Sequence, residues 1–549
     1  MSQSDALDNR EIIEKALIVL VGFLASGLLG LVRLAVVGAQ FGTGAAYDAF
    51  AAAQQLPETV FVLVAGGALG SSFIPIYARY RVIDQEQASR LASAVMTLSA
   101  AGAAFLGLLV YAFAPQLVSA VLYSGRTPAE QQLMTDMVRL MMLTPFIFSI
   151  SGLLMSLLHS HAAFWLPAIA ISMNNIGIII GALFIAPALP AHANAGQVGE
   201  LNIMGLAYGA VLSACLHLLV QLPGVARLST RLRPLLSPSV PGVLDVLRLM
   251  GPRVFGLAVV QINFHVNIIL ANTMVAGSVG AVRYAFMLTF FALGVIAQSQ
   301  GSAVFPTLAA LQAEGDYDGF KDRLARAMRN VLCLSFPASA LLIVLGGPLV
   351  SVLQRGEWTP ESTAAVAWAL GFYAIGIAGF ALLEVLSRAF YALEDSRTPA
   401  IAGALAMLSN IALNLVFIRI IGDPGSLARG AFAGLALANA LTTVVEALAL
   451  WWLIRRRLAD HGVERGIHDR EVISSAAGSL LLSLLMAAAL WLLTMALPAG
   501  GLTLALSGCM LAGLIFFGGG YLFNISEIRP LLEPFVRRLL PAKTNDLSG

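Results

Sequence analysis

Fourteen apolar stretches, most of them long enough to cross a bilayer, are strung along this chain, and Arg and Lys gather in every second gap between them. Inside hydrocarbon a backbone has no water to bond to. A segment there must satisfy its own N–H and C=O groups as a helix of about 20 residues, or close into a barrel. The stretches begin near Ile12, Tyr47, Leu91, Met137, Phe164, Ile203, Leu249, Val279, Val331, Thr363, Ala400, Gly430, Val472 and Leu502. Most run for roughly 20 to 28 residues, too long for short buried core helices. The fold class is therefore an all-α polytopic membrane protein. Composition agrees, since charged residues make up 11% of the 549, against roughly 25% in soluble domains. The N-terminus is no cleavable leader: Glu11, Glu14 and Lys15 run into an apolar stretch that extends past Ala35, too long for a signal-peptide core.

Orientation follows from the basic residues of the short gaps. The even-numbered gaps carry Arg79, Arg81 and Arg90; Arg227, Arg231 and Arg233; Lys321, Arg323, Arg326 and Arg329; Arg388 and Arg397; and Arg455, Arg456 and Arg457. The odd-numbered gaps are poorer, with Arg126, Arg355, Arg419 and Arg429 as exceptions. The even gaps are expected to be cytoplasmic, and an even helix count then places both termini there too, in agreement with the basic tail of Arg537, Arg538 and Lys543. The net charge of +2 is a topological signal and implies no nucleic acid. Cys215, Cys333 and Cys509 lie inside apolar stretches without paired spacing, which predicts small core residues and neither a disulfide nor a metal cluster. No phosphate-binding loop, nucleotide fingerprint or catalytic triad pattern is present, so the expectation is a transporter, not an enzyme. No cofactor is expected, and transport would be driven by a Na+ or H+ gradient, the membrane potential or the substrate's own gradient.

An internal repeat supplies the architecture. Gly70-Ser71-Ser72-Phe73-Ile74-Pro75 closes the second stretch and Gly301-Ser302-Ala303-Val304-Phe305-Pro306 the eighth; Tyr47-Asp48-Ala49-Phe50 and Arg283-Tyr284-Ala285-Phe286 precede them. A period of six helices gives two lobes of the same orientation, as in many secondary transporters. The expected domains are 1–235 and 236–460 for the lobes and 461–549 for two further helices and the tail.

The motifs Gly42-x-Gly44-x-x-x-Asp48-Ala49-Phe50, Leu56-Pro57, Phe73-Ile74-Pro75, Gly251-Pro252 and Phe390-Tyr391-Ala392-Leu393-x-Asp395-x-x-Thr398-Pro399 together resemble the MurJ (MviN) family of lipid II flippases in the MATE-like (MOP) exporter superfamily. The resemblance covers nearly the whole chain. It implies two pseudo-symmetric six-helix lobes around a cavity that opens alternately to either side, with the last two helices forming a groove for the undecaprenyl tail. It also implies a bacterial inner-membrane protein of peptidoglycan biosynthesis. Its partners would be lipid II, membrane lipids and cell-wall synthesis proteins.

A diphosphate headgroup in a low-dielectric site calls for guanidinium groups, which bind it bidentately and stay charged. Arg33, inside the first stretch, matches one of the family's cavity arginines, with a helix-end snorkelling role as the alternative. Asp48 matches the family's acidic residue at the start of the second helix, or else caps helix amides. Glu58 follows Pro57 where a kink can turn it toward the cavity, and Arg283 either reaches back into the cavity or lies on the outer surface. Elsewhere the chain departs from the family in one direction. Gly27, Phe61 and Met287 stand where further arginines are found, and Leu34, Gly66, Phe286 and Phe290 where acidic partners are found. Asn267, Asn410 and Asn414 match a sodium site present in some family members. All three are neutral, and hard cations favour anionic oxygen, so interhelical hydrogen bonding is the competing role. His265 is read as a packing or proton-coupling histidine, Glu384 and Arg388 as an i, i+4 pair, and Glu446 as a proton-titrating or interfacial carboxylate.

The expected function is flipping of undecaprenyl-linked peptidoglycan precursor by alternating access. The rivals are export of another lipid-linked oligosaccharide or of a drug-like substrate, favoured by a more apolar cavity, and a transport-inactive membrane scaffold for cell-wall assembly.

Overall fold

A computed structural model describes residues 9–190, 196–460, 462, 466–497, 500–523, 525, 527–529 and 533, and nearly all of them are helical. Nine of the apolar stretches form single helices, α4, α9 and α13 across interior prolines: α1 (Asn9–Phe41), α4 (Gln85–Leu117), α7 (Trp165–Ile180), α9 (Met204–Ala226), α10 (Val243–Asn272), α13 (Tyr317–Ser351), α16 (Arg397–Ile420), α17 (Ala433–Ala459) and α18 (Asp469–Ala496). The remaining stretches are broken. The second is α2 (Ala45–Ala65) and α3 (Gly67–Ile83), the fourth α5 (Pro128–Met141) and α6 (Leu143–Ser160), the eighth α11 (Ser278–Leu293) and α12 (Ser299–Glu314), and the tenth α14 (Pro360–Ile375) and α15 (Ile377–Ala392). A short α8 (Ala186–Ala188) extends α7, and α19 (Gly501–Gly513) with α20 (Gly519–Leu522) forms the last stretch. The tail bearing Arg537, Arg538 and Lys543 lies outside the described residues.

The expected count of fourteen is not confirmed: among the described residues, 12 helices are long and apolar enough to cross a membrane, the second and fourth stretches each counting as one, or 13 if α14 and α15, bent by 47°, form one span. The eighth stretch falls short because α11 has only 16 residues before a π turn at Gly294–Gln298. The polar run Gln298-Ser299-Gln300-Gly301-Ser302 follows it. Similar π turns interrupt the helices at Val118–Leu122, Gly181–Ile185 and Leu514–Gly518, the kind of bulge that marks a bend or a site in a long helix.

Helix starts follow local chemistry. Thr127 and Glu130 form a reciprocal capping box on α5, Asp84 accepts from the Glu86 and Gln87 amides at the start of α4, and Asp316 caps α13. Each satisfies amides that a helix terminus leaves without partners.

Packing divides the chain into two compact units, Met1–Gly280 with Gln354–Ser362, and Ala281–Leu353 with Thr363–Gly549. In the first unit α10 packs on α2 and α3. Its α7 and α9 approach at glycine level: a Cβ on Gly209 would come within 2.9 Å of the Gly177 carbonyl oxygen and of Gly181 Cα. Without a hydrophobic drive between helices in lipid, such small residues let backbones close in and gain dispersion. In the second unit α13, α15 and α17 bury Leu324, Met328, Val385, Leu386, Leu450 and Ile454. The C-terminal helices join through Leu345, Leu482, Met486, Leu490 and Phe516. At one end of this unit Arg329 pairs with Glu471 at 2.8 Å and Glu527 at 3.3 Å, Arg455 with Asp469 at 3.2 Å, and His468 bonds Asp322 at 2.6 Å, which ties α18 to α13 and α17. The three cysteines carry no disulfide; Cys333 is buried as expected, but Cys509 is exposed and Cys215 only partly covered, because α19 turns that face outward beside the exposed Leu506 and Met510.

Candidate functional site

In the first unit the Tyr47-Asp48-Ala49-Phe50 motif opens α2, and all four side chains are buried. A carboxylate with no exposed surface must be met by donors or lose several kcal/mol of solvation. Asp48 is met: Oδ2 accepts from the Gly277 amide at 2.6 Å and Oδ1 from the Gly280 amide at 2.7 Å. These amides belong to the turn and first residues of α11, a helix N-terminus, where an anion is favoured by both the orphan N–H groups and the dipole. The sequence offered a cavity acid or a cap on helix two; the structure places Asp48 as a cap on a different helix, 229 to 232 residues away. Close by, Thr43 donates to Ser362 at 2.7 Å, and Asn272 donates to the Leu122 carbonyl at 2.8 Å.

Along α10 polar side chains recur at Asp245, Arg253 and Gln261, each step turning about 80° around the helix, and each reaches α2 or α3. Asp245 lies 3.7 Å from Arg79 of α3. Arg253 Nη1 donates to the hydroxyls of Ser71 at 2.7 Å and Ser72 at 3.1 Å. Gln261 donates to Thr59 of α2 at 3.3 Å. His265 bonds the Gln261 carbonyl at 2.9 Å, a packing role on its own helix. Asn267, further along, is partly buried and partnered.

Arg33 is partly buried and partnered. By register it continues the stripe of α1 that meets α7: a Cβ on Gly22 would touch Ala168, Asn175 donates to the Ser26 carbonyl at 3.0 Å, and Gly30 faces Asn175. Glu58 is exposed on α2, beside the buried Pro57. Phe61 packs at 5.4 Å on Phe148. Phe148 in turn lies edge-on to His217, whose Nδ1 meets the Ser151 hydroxyl at 2.5 Å while Gln221 donates to that hydroxyl at 2.8 Å.

In the second unit Arg283 is partly buried and partnered near the start of α11. Phe286 and Phe290 stack at 4.2 Å, and Tyr373 and Phe380 close on them at 5.7 and 5.4 Å, forming an aromatic cluster. Asn414 donates to Asn410 Oδ1 at 3.0 Å and Asn410 to Thr442 at 3.4 Å, all three buried between α16 and α17. Glu384 and Arg388 pair as expected, with Nε donating at 3.0 Å, and a Cβ on Gly301 would lie 2.8 Å from the guanidinium carbon of Arg388. Glu446 sits on α17 facing Gly403.

Sequence reasoning overlooked Arg253 and the two serines that hold it. The signal was available, since Arg253 stands next to the Gly251-Pro252 motif inside an apolar segment, where a cation is by default a functional candidate.

The family profile described as lipid II flippase MurJ matches residues 37–507. A lipid II flippase MurJ of Burkholderia cenocepacia is 28% identical over 451 residues, spanning 81% of this chain and 84% of its own length. A probable lipid II flippase MurJ of Vibrio cholerae is 28% identical over 459 residues, with 81% and 83% covered. Among solved structures, an inward closed conformation of lipid II flippase MurJ superposes with a TM-score of 0.76 at 20% identity, covering 94% of this chain and 100% of that one. An inward-facing multidrug-resistance MATE transporter of the MOP superfamily follows at 0.66 and 15% identity, covering 80% and 96%.

Proposed function

Because this chain belongs to the MurJ family of lipid II flippases, we propose that it moves undecaprenyl-linked peptidoglycan precursor across a bacterial inner membrane by alternating access, with both termini cytoplasmic. One observation carries this reading: the family match is continuous from residue 37 to residue 507, through both copies of the repeat and into the last helix. A chain that had drifted to unrelated cargo while keeping only the helix count would share the fold and not so long a sequence match. The lobes would be the expected segments 1–235 and 236–460. Arg33, Glu58 and Arg283 are the proposed polar contacts to the headgroup. Asp48 is a positioning residue, since both its oxygens are taken by backbone amides. The bonded set Asn410, Asn414 and Thr442 supports an interhelical role in preference to a sodium site, and coupling then falls to H+ or the membrane potential. Contact with cell-wall synthesis proteins belongs to the same reading.

A second reading has its own support. Aromatic residues Phe61, Phe286 and Phe290 occupy positions where the family carries charge, and they pack on one another or on neighbours. That favours a lipid-linked cargo less dependent on charge. Complementation separates the two. Expression in a bacterium depleted of its own flippase should restore growth, and Arg33→Ala should reduce or abolish the rescue. A well-inserted protein that never rescues would move the assignment to the second reading.

A further inference from the structure

We propose that Arg253, seated on the hydroxyls of Ser71 and Ser72, forms an anion site that takes the phosphate of a lipid-anchored headgroup. The inference rests on the flippase reading above and names a residue for it that the family resemblance does not supply.

The argument starts from what the guanidinium lacks. Arg253 begins the apolar window of α10, Arg253–Asn272, about 15 Å along the helix from Val243 at 1.5 Å per residue. An arginine at such a place is costly unless it meets water, a counter-charge or a ligand. Among the described residues it has no carboxylate within ion-pair distance and only two acceptors, both hydroxyl oxygens and both reached from Nη1. A guanidinium offers five N–H donors, so the edge formed by Nε and Nη2 has no protein acceptor among the described residues. That edge is the planar fork which binds phosphate bidentately. The side chain is exposed, so the edge is open to a ligand.

The serines fix the other edge. Ser72 is fully buried while Ser71 is exposed, and both sit on α3 just after the break at Gly66. Holding Nη1 from two sides lowers the rotamer entropy that a long side chain loses on binding. Neighbouring charges do not neutralise the site, because Asp245, eight residues earlier on α10, is directed to Arg79. Elsewhere in the chain an intramembrane arginine is compensated internally, as Arg388 is by Glu384. Arg253 combines exposure, preorganisation and missing counter-charge, and two lipid sources offer matching chemistry: a polyprenyl diphosphate and an anionic phospholipid headgroup. We assign the diphosphate, since two adjacent phosphate groups match a fork plus two hydroxyls better than a single diester does.

The test uses the full-length protein in phosphatidylcholine nanodiscs, with undecaprenyl diphosphate as probe and undecaprenol and phosphatidylglycerol as comparators. Wild type should prefer the diphosphate to undecaprenol, and Arg253→Gln should weaken diphosphate binding about tenfold or more, the scale of one charge-assisted contact. Arg253→Lys should fall between, because an ammonium keeps the charge without the fork. Ser71→Ala/Ser72→Ala, which leaves the charge in place, should weaken binding about threefold, because only the preorganisation of the guanidinium is lost. Equal affinity in wild type and Arg253→Gln overturns the site. So does a loss on Arg253→Gln that is the same for phosphatidylglycerol as for the diphosphate, which would mark a general lipid-headgroup contact. Unchanged binding in the serine double variant removes the hydroxyls from the proposal. A wild type that does not distinguish diphosphate from undecaprenol defeats the flippase reading itself, whereas a discriminating wild type with an unaffected Arg253→Gln defeats only this site.

Discussion

The two copies of the repeat solve the same problem with opposite chemistry. In the first, the Gly-Ser motif of α3 holds Arg253 with hydroxyls alone, and the aromatic motif carries a buried carboxylate, Asp48, satisfied by amides of another segment. In the second, the Gly-Ser motif opens α12, Gly301 lies against Arg388, and that arginine is neutralised on its own helix by Glu384. The position equivalent to Asp48 holds Tyr284, buried and neutral. A repeat in sequence therefore does not imply a repeat in electrostatics. Compensation by Glu384 makes Arg388 structural, and the missing counter-charge at Arg253 leaves a guanidinium edge available to an anion.

The hardest blow to this contrast falls at Asp48. Asp48→Ala strips two buried amides of their acceptor, and each orphaned donor costs about 1–3 kcal/mol. A large drop in melting temperature or loss of folded protein on size exclusion is expected, and a melting curve that does not move would mean the carboxylate is not the cap described. Next comes Gly209→Val in the first unit, which forces α7 and α9 apart because its Cβ would already lie 2.9 Å from the facing Gly177 carbonyl oxygen. Overpacking of this kind costs about 1–3 kcal/mol, read by thermal denaturation in detergent.

The comparison of the two arginines is sharpened by a matched pair. Glu384→Gln leaves the partly buried Arg388 without its counter-ion and should cost about 1–2 kcal/mol, below the 3–5 kcal/mol of a fully buried pair because both side chains keep some exposure. Arg253→Gln should change stability by less than about 0.5 kcal/mol while altering binding. If both variants destabilise equally, the proposed division between a structural and a ligand-binding arginine is wrong.

The smallest effect is expected at Asp395, in the short link between α15 and α16. Partial burial alone would lift its carboxyl, but hydrogen bonds from the Thr398 side chain and amide and the Arg397 amide, with the charge of Arg457, outweigh burial and hold it below the usual carboxylate value. A depressed folded-state value means stability that is present above the unfolded value of about 4 and lost as pH falls through the folded one. Asp395→Ala should therefore lower the melting temperature slightly at pH 7, and the gap to wild type should close as the pH is taken below about 4. A gap that persists in acid would assign the effect to the helix cap alone.

Much of the molecule was legible in the chain. Stretch length and the scarcity of charge determined that it is helical and crosses a membrane, because a backbone in lipid has so few ways to satisfy itself. The Glu384–Arg388 pair followed from spacing on one helix, as did the shared face of Asn410 and Asn414. Only the tertiary structure decided the long-range partners: Asp48 with amides beyond residue 276, Arg253 with two serines 181 and 182 residues earlier, and the aromatic packing of Phe61 with Phe148. It also decided that the eighth and tenth stretches break instead of crossing as single rods. The physical reason is common to these cases. Helical periodicity and hydrophobic length are local and written in consecutive residues, whereas the compensation of a buried or intramembrane charge depends on which distant helix brings a donor or acceptor within about 3 Å.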